Sequence, residues 1–110
     1  MKLVLKAVAA SRNTKPTSIE RAAMVILNAL GVEYQANKAI GRYVVDILVP
    51  DRMLVIECDG SYWHSLPGCA EKDARRDEYL RGLGYRVVRI PETAFKLKLA
   101  ERAIGEAVAG

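Results

Sequence analysis

From Thr17 to Leu30 the apolar positions Ile19, Ala22, Ala23, Ile26, Leu27 and Leu30 recur at the spacing of one helical face, and Gly31 supplies the stop. Thr17 with Glu20 three residues later is a capping box, which gives Glu20 a structural task at the helix start. The pattern then changes period. Residues 32–40 begin a sheet, and Gly41 turns the chain into a strand over 42–49. On that strand Tyr43, Val45, Ile47 and Val49 take one side, while Val44 and Leu48 flank Asp46 on the other. A strand apolar on both faces is normally covered on both. A third strand spans 53–58, and the run SYWHSLPG after Gly60 holds too many turn formers for a helix. The charged segment EKDARRDEYLRGL predicts a helix over 70–83, with Asp73, Arg76, Asp77, Leu80 and Leu83 on one side and Arg75 elsewhere. Residues 85–90 read as a strand broken by Pro91, and 92–108 as one amphipathic closing helix. Residues 1–16 form a short strand or helix and the polar connector SRNTKP, and are read as an N-terminal extension. A strand–helix–strand crossover through 70–84 makes the last pairing parallel. The fold class is therefore α/β, a mixed sheet flanked by helices on both faces, in one domain over 1–110.

Against that pattern three carboxylates stand out. Asp46, Glu57 and Asp59 interrupt two otherwise apolar strands, and the second strand leads towards His64, the one histidine of the chain. An unpaired carboxylate inside a packed sheet costs several kcal/mol, so such groups are neutralised, hydrogen-bonded or bound to metal. Alternation puts Glu57 and Asp59 on one face, with Ile56 and Cys58 on the other. If the hairpin turns on Asp51-Arg52 alone, Asp46 lies directly opposite Glu57, with Cβ atoms about 5 Å apart. Two negative charges so placed repel by roughly 3 kcal/mol at an effective dielectric of about 20, and a divalent cation reverses that sign. A three-residue loop through Pro50 would instead put the two acids on opposite faces.

Composition narrows the partners. The 110 residues carry a net charge of +4 with 51% hydrophobic residues, a folded chain whose excess of basic groups favours a polyanion. The densest basic patch is Lys72, Arg75, Arg76 and Arg81. No apolar run approaches a membrane span. MKLVLKAVAAS has the outline of a signal peptide, but Lys6 cuts its apolar core short, so it reads as mature chain in the cytoplasm. Cys58 and Cys69 read as reduced thiols. With His64 they make three candidate zinc ligands and no fourth, so no structural zinc is expected.

The spacing of Asp46 and the strand Glu57-Cys58-Asp59 resembles the core of the PD-(D/E)XK, restriction-endonuclease-like superfamily. More specifically, IECDGSYWH followed by DARRDEYLRGLGYRVVRI is similar to the very-short-patch-repair (Vsr) endonucleases, to small nuclease-like domains of unknown function, and to phage homing endonucleases of that lineage. The resemblance spans about Thr17 to Glu92. It implies hydrolysis of DNA phosphodiester bonds with Mg²⁺, for which Mn²⁺ would substitute. It makes Asp46 the central metal ligand, with Glu57 as the second acid and the Cys58 backbone carbonyl helping. His64 matches a histidine that helps deprotonate the attacking water, Asp73 the acid that accompanies it, and Glu20 an acid on the first helix. Glu20, Asp46, His64 and Asp73 thus form a glutamate–aspartate–histidine–aspartate set. Lys72, Arg75 and Arg76 would grip flanking phosphates. Trp63 either stacks on a base or packs as a core aromatic beneath its loop.

Two departures accompany the match. Asp59 stands where the superfamily has a lysine, and either binds a second metal or caps the turn at Gly60. Ser61 replaces one of the zinc-binding cysteines of the repair enzymes. The expectation is a small metal-dependent DNA endonuclease, cutting one strand or two. The alternatives are a catalytically silent DNA-binding module of the same fold, or a nuclease subunit of a larger complex. Target choice is left to loops, a homodimer partner or a separate polypeptide.

Overall fold

The computed structural model describes residues 17–59 and 67–110. Helix α1 (Ser18–Ala29) starts at the expected capping box. The Thr17 hydroxyl accepts the Glu20 N–H at 3.2 Å, and the Glu20 carboxylate accepts the Thr17 N–H at 3.1 Å. Strands β1 (Gln35–Ile40), β2 (Tyr43–Val49) and β3 (Leu54–Asp59) form an antiparallel meander. Helix α2 (Cys69–Gly82) crosses to β4 (Arg86–Pro91), which pairs parallel with β3. The sheet order is β1-β2-β3-β4, the mixed topology that the element order predicts.

Two apolar layers hold the helices to the sheet. One face carries Ile47, Val49, Leu54, Ile56, Cys58 and Ile90 against α1 and the C-terminal helices. The other carries Leu48 and Val55 against Leu80 of α2. Among the described residues no helix is long and apolar enough to cross a membrane.

The structure departs from the sequence reading in three places. The single helix over 92–108 is two, α3 (Glu92–Lys96) and α4 (Ala100–Ala109), with Lys98 between them at φ 60. The left-handed backbone there ends one helix before the next begins. Val45 packs with Leu48, Val55 and Leu80, not with Ile47 and Val49. Opposite this part of β2, Asn37 adopts φ 50, and the pleat is interrupted between the pairs Ala36↔Ile47 and Lys38↔Val45. Leu30 and Leu83 are about half exposed (48% and 49%) because each is the helix C-cap, where the chain turns away from the packed face.

Candidate active site

The β2–β3 connection is a short 3₁₀ turn over Pro50–Arg52, closed by Met53 in the left-handed region (φ 48). The register is Ile47↔Ile56, Leu48↔Val55 and Val49↔Leu54, so one further step along both strands sets Asp46 against Glu57. This is the register that a turn on Asp51-Arg52 alone would give, although residues Pro50–Met53 all lie outside the ladder. The ladder stops before that step. Instead the backbone N–H of Cys58 donates to Asp46 Oδ2 at 2.8 Å, fixing the carboxylate against the end of β3.

Glu57 is 2% exposed, the buried charged side chain of the described core. Among the described residues its Oε2 has no hydrogen-bond partner, and Oε1 lies 3.6 Å from Arg76 Nη2. Burial, followed by the charge of Asp46, raises its pKa from the ordinary 4.5 to about 8, while Arg76 and Arg89 pull the other way. An acid held so far from its usual range in a packed sheet marks a candidate functional group.

The Cys58 thiol, on the opposite face, is also pushed up, first by burial and then by Asp46, Glu20, Glu57 and Asp59 in turn. Four carboxylates therefore act together on the end of β3. Glu20 remains engaged in its helix cap, and its charge acts on the Cys58 thiol from the α1 side of the sheet.

Asp59 is engaged by a cation of the neighbouring strand, a partner its sequence context did not point to. Arg89 of β4 donates from Nη1 to Asp59 Oδ1 at 3.3 Å, from Nη2 to Asp77 Oδ1 at 2.6 Å, and from Nε to Asp77 Oδ2 at 3.2 Å. It also comes within 3.8 Å of Asp73 Oδ2. Although burial works against its charge, the Asp77 hydrogen bonds and the charges of Asp59, Asp77 and Asp73 raise the pKa of Arg89 further above its ordinary range. Arg89 thus ties the sheet to α2 and sets Asp73 above the site. Asp73 and Arg76 face inward as the helical wheel requires, whereas Lys72 and Arg75 lie exposed on α2. The sequence reading missed Arg89 and gave Asp77 no role. The signal was a charged residue alternating with Val87 in a strand covered by α2, the same signal that picked out Asp46. His64, Trp63, Gly60 and the Cys69 side chain lie outside the described residues.

Among the described residues no group of three or more His, Cys, Asp or Glu side chains is arranged to hold a metal ion. Asp46 and Glu57 are a pair. Hard carboxylate oxygens in that number suit Mg²⁺, which is commonly held by one or two carboxylates and completes its shell with water. The unpartnered Glu57 oxygen beside a second acid is consistent with such a cation.

A mixed four-stranded sheet between helices, with acids at the end of its central hairpin, is the restriction-endonuclease-like α/β fold. It superposes on the catalytic domain of the homing endonuclease I-Bth0305I with a TM-score of 0.69 and 26% identity, covering 82% of this chain and 92% of that one. The family model REase_MTES_1575 matches residues 19–104, and the chain belongs to that restriction-endonuclease-like family. It is also 42% identical over 60 residues to an uncharacterised protein of Haemophilus influenzae. That match covers 54% of this chain and 49% of the relative, so the chain aligns with about half the relative's length.

Proposed function

We propose that the chain is a metal-dependent DNA endonuclease, with Asp46 and Glu57 holding Mg²⁺ and the Cys58 backbone carbonyl completing the protein's share of the ligands. The observation that carries this reading is Glu57: buried, unpartnered at Oε2 among the described residues and set beside Asp46, in a fold shared with a homing endonuclease catalytic domain. Bound there, the cation would supply charge stabilisation at the scissile phosphate and acidify a water.

The remaining work falls to the chain. The Cys58 N–H orients Asp46, so its carboxylate presents one oxygen while the other is tethered. Arg89 holds Asp73 and Asp77 against Asp59, which presents Asp73 towards the Glu57 side of the sheet. An imidazole titrates near neutrality, so His64 is the group to take a proton from water, with Asp73 orienting it. Glu20 adds negative charge from the first turn of α1. Lys72 and Arg75 on the outer face of α2, with Arg76 at the site, meet phosphates, and Trp63 meets bases. Cleavage of supercoiled plasmid in Mg²⁺, sustained in Mn²⁺ and abolished in Asp46→Asn, is the expected result. Unchanged cleavage in that variant would remove the proposed centre.

One observation favours a second reading. Asp59 takes the place of a lysine and is itself bound by Arg89, so the chain could retain the fold as a DNA-binding module without cutting. That module would shift the mobility of duplex DNA equally in Mg²⁺ and in chelator and leave plasmid intact.

A further inference from the structure

Two arginines reach the acidic cluster, and they are held very differently. Arg89 makes three hydrogen bonds to Asp77 and Asp59 within 3.3 Å, a fork locked between sheet and helix. Arg76 is looser. Its Nη2 sits 3.6 Å from Glu57 Oε1 and 3.7 Å from Asp73 Oδ1, almost midway between an acid of the sheet and an acid of α2. Contacts of that length are attractions between charges rather than aligned hydrogen bonds. The side chain is 24% exposed, so it has a way out towards solvent.

We propose that Arg76 is the site's built-in counter-ion: it stands between Glu57 and Asp73, gives way when a divalent cation enters, and is thereby released to a DNA phosphate. This rests on the metal-dependent nuclease reading above and deepens it. Three features support it. Arg76 meets one oxygen of Glu57 and leaves Oε2 unpartnered among the described residues, so its compensation is partial where a cation's would be fuller. A guanidinium does not deprotonate in proteins, so it can relieve repulsion with an incoming cation only by moving. Finally, α2 also carries the exposed Lys72 and Arg75, so a short swing brings Arg76 to the basic surface suited to a phosphate backbone. Linkage then follows: metal and Arg76 compete for Glu57, and DNA that captures Arg76 strengthens metal binding by the same factor as metal strengthens DNA binding.

The test uses the full chain as wild type, R76Q and R76K, with Mn²⁺ titrated calorimetrically in the absence of DNA, and a labelled duplex titrated in Mg²⁺ or in EDTA. R76Q is expected to bind Mn²⁺ about tenfold more tightly than wild type and DNA about tenfold more weakly, and to lose the gain in DNA affinity that Mg²⁺ confers. R76K, which keeps the charge, stays within about twofold of wild type for Mn²⁺. The Arg76 Nε–H resonance of the wild-type protein, followed through a Mg²⁺ titration, should move towards that of a solvated guanidinium, a readout independent of any variant's folding. Equal or weaker Mn²⁺ binding by R76Q, with binding measurable in wild type, or an Arg76 resonance unmoved by saturating Mg²⁺, overturns the counter-ion and leaves the metal reading standing. No Mn²⁺ binding in any of the three proteins removes the metal reading and this inference with it.

Discussion

Asp46 Oδ2 accepts the Cys58 N–H at 2.8 Å, so a side chain takes over from the backbone where the β2–β3 ladder ends. The same carboxylate raises the pKa of Glu57. One residue thereby fixes the end of the hairpin and loads the site with charge, and the two roles separate on substitution.

Asp46→Asn keeps an oxygen for the Cys58 N–H and loses the charge. It is expected to fold within about 1 kcal/mol of wild type while abolishing cleavage. Asp46→Ala leaves the N–H unmet and should cost about 1–3 kcal/mol in urea denaturation. Equal stability of the two variants would show that the Cys58 bond contributes nothing.

Glu57 makes stability depend on pH in a stated direction. Its pKa is 4.5 ordinarily and about 8 in the fold, so between those values the native state holds more proton than the unfolded chain. Stability is therefore fully present below the lower value and is lost as pH rises towards the upper one, at up to about 1.4 kcal/mol per pH unit. Glu57→Gln should flatten that slope and be the more stable protein at pH 8. Mg²⁺ favours the ionised form, so its thermal stabilisation of the wild type should grow as pH rises from 6 to about 8. Chemical denaturation of both proteins across this range, with and without Mg²⁺, measures each effect.

Arg89→Met would leave Asp59, Asp73 and Asp77 facing one another without their common cation. All three are partly solvated (16%, 27% and 14% exposed side chains), so the loss should be about 2–3 kcal/mol, less than for a fully buried pair. Arg89→Lys should recover less than half of it, because an ammonium is a point charge and cannot bridge both acids as the fork does. A lysine variant as stable as wild type would mean that charge alone holds α2 to the sheet.

Much of this was written in local pattern. Thr17 and Glu20 announced the cap and Gly31 the end of the first helix, and the register expected of a turn at Asp51-Arg52 is the one that brings Asp46 beside Glu57. Asp73, Arg76, Asp77 and Leu80 fell on the inward side of α2 as a helical period requires. What escaped depended on pairing across the sequence. Arg89 reads as one polar position in a clean strand until the parallel register sets it next to Glu57, and its ion pair with Asp59 depends on that same register. The split of the closing helix did leave a trace. Phe95, Leu97 and Leu99 alternate instead of following the helical period, and Leu97 and Leu99 are exposed at the break. The displacement of Val45 left none in its own strand; it coincides with the left-handed backbone at Asn37 on the neighbouring one.

Gly41 supplies the last test, of how α2 is seated. It turns β1 into β2 at φ 61, and a Cβ added there would run into the Tyr79 hydroxyl and come within 3.0 Å of a ring carbon. The Tyr79 ring is in turn tilted against Tyr43, centroids 5.3 Å apart, so it cannot retreat without giving up that contact. Gly41→Ala should therefore cost more than the ~1 kcal/mol of left-handed backbone, about 2–3 kcal/mol in all. Tyr79→Ala in the same chain removes the obstruction and leaves only the backbone cost, so a double-mutant cycle in urea should show at least about 1 kcal/mol of coupling between positions 41 and 79. Additive effects would place Tyr79 away from the turn, and with it the α2 surface that carries Arg75 and Arg76 alongside the hairpin.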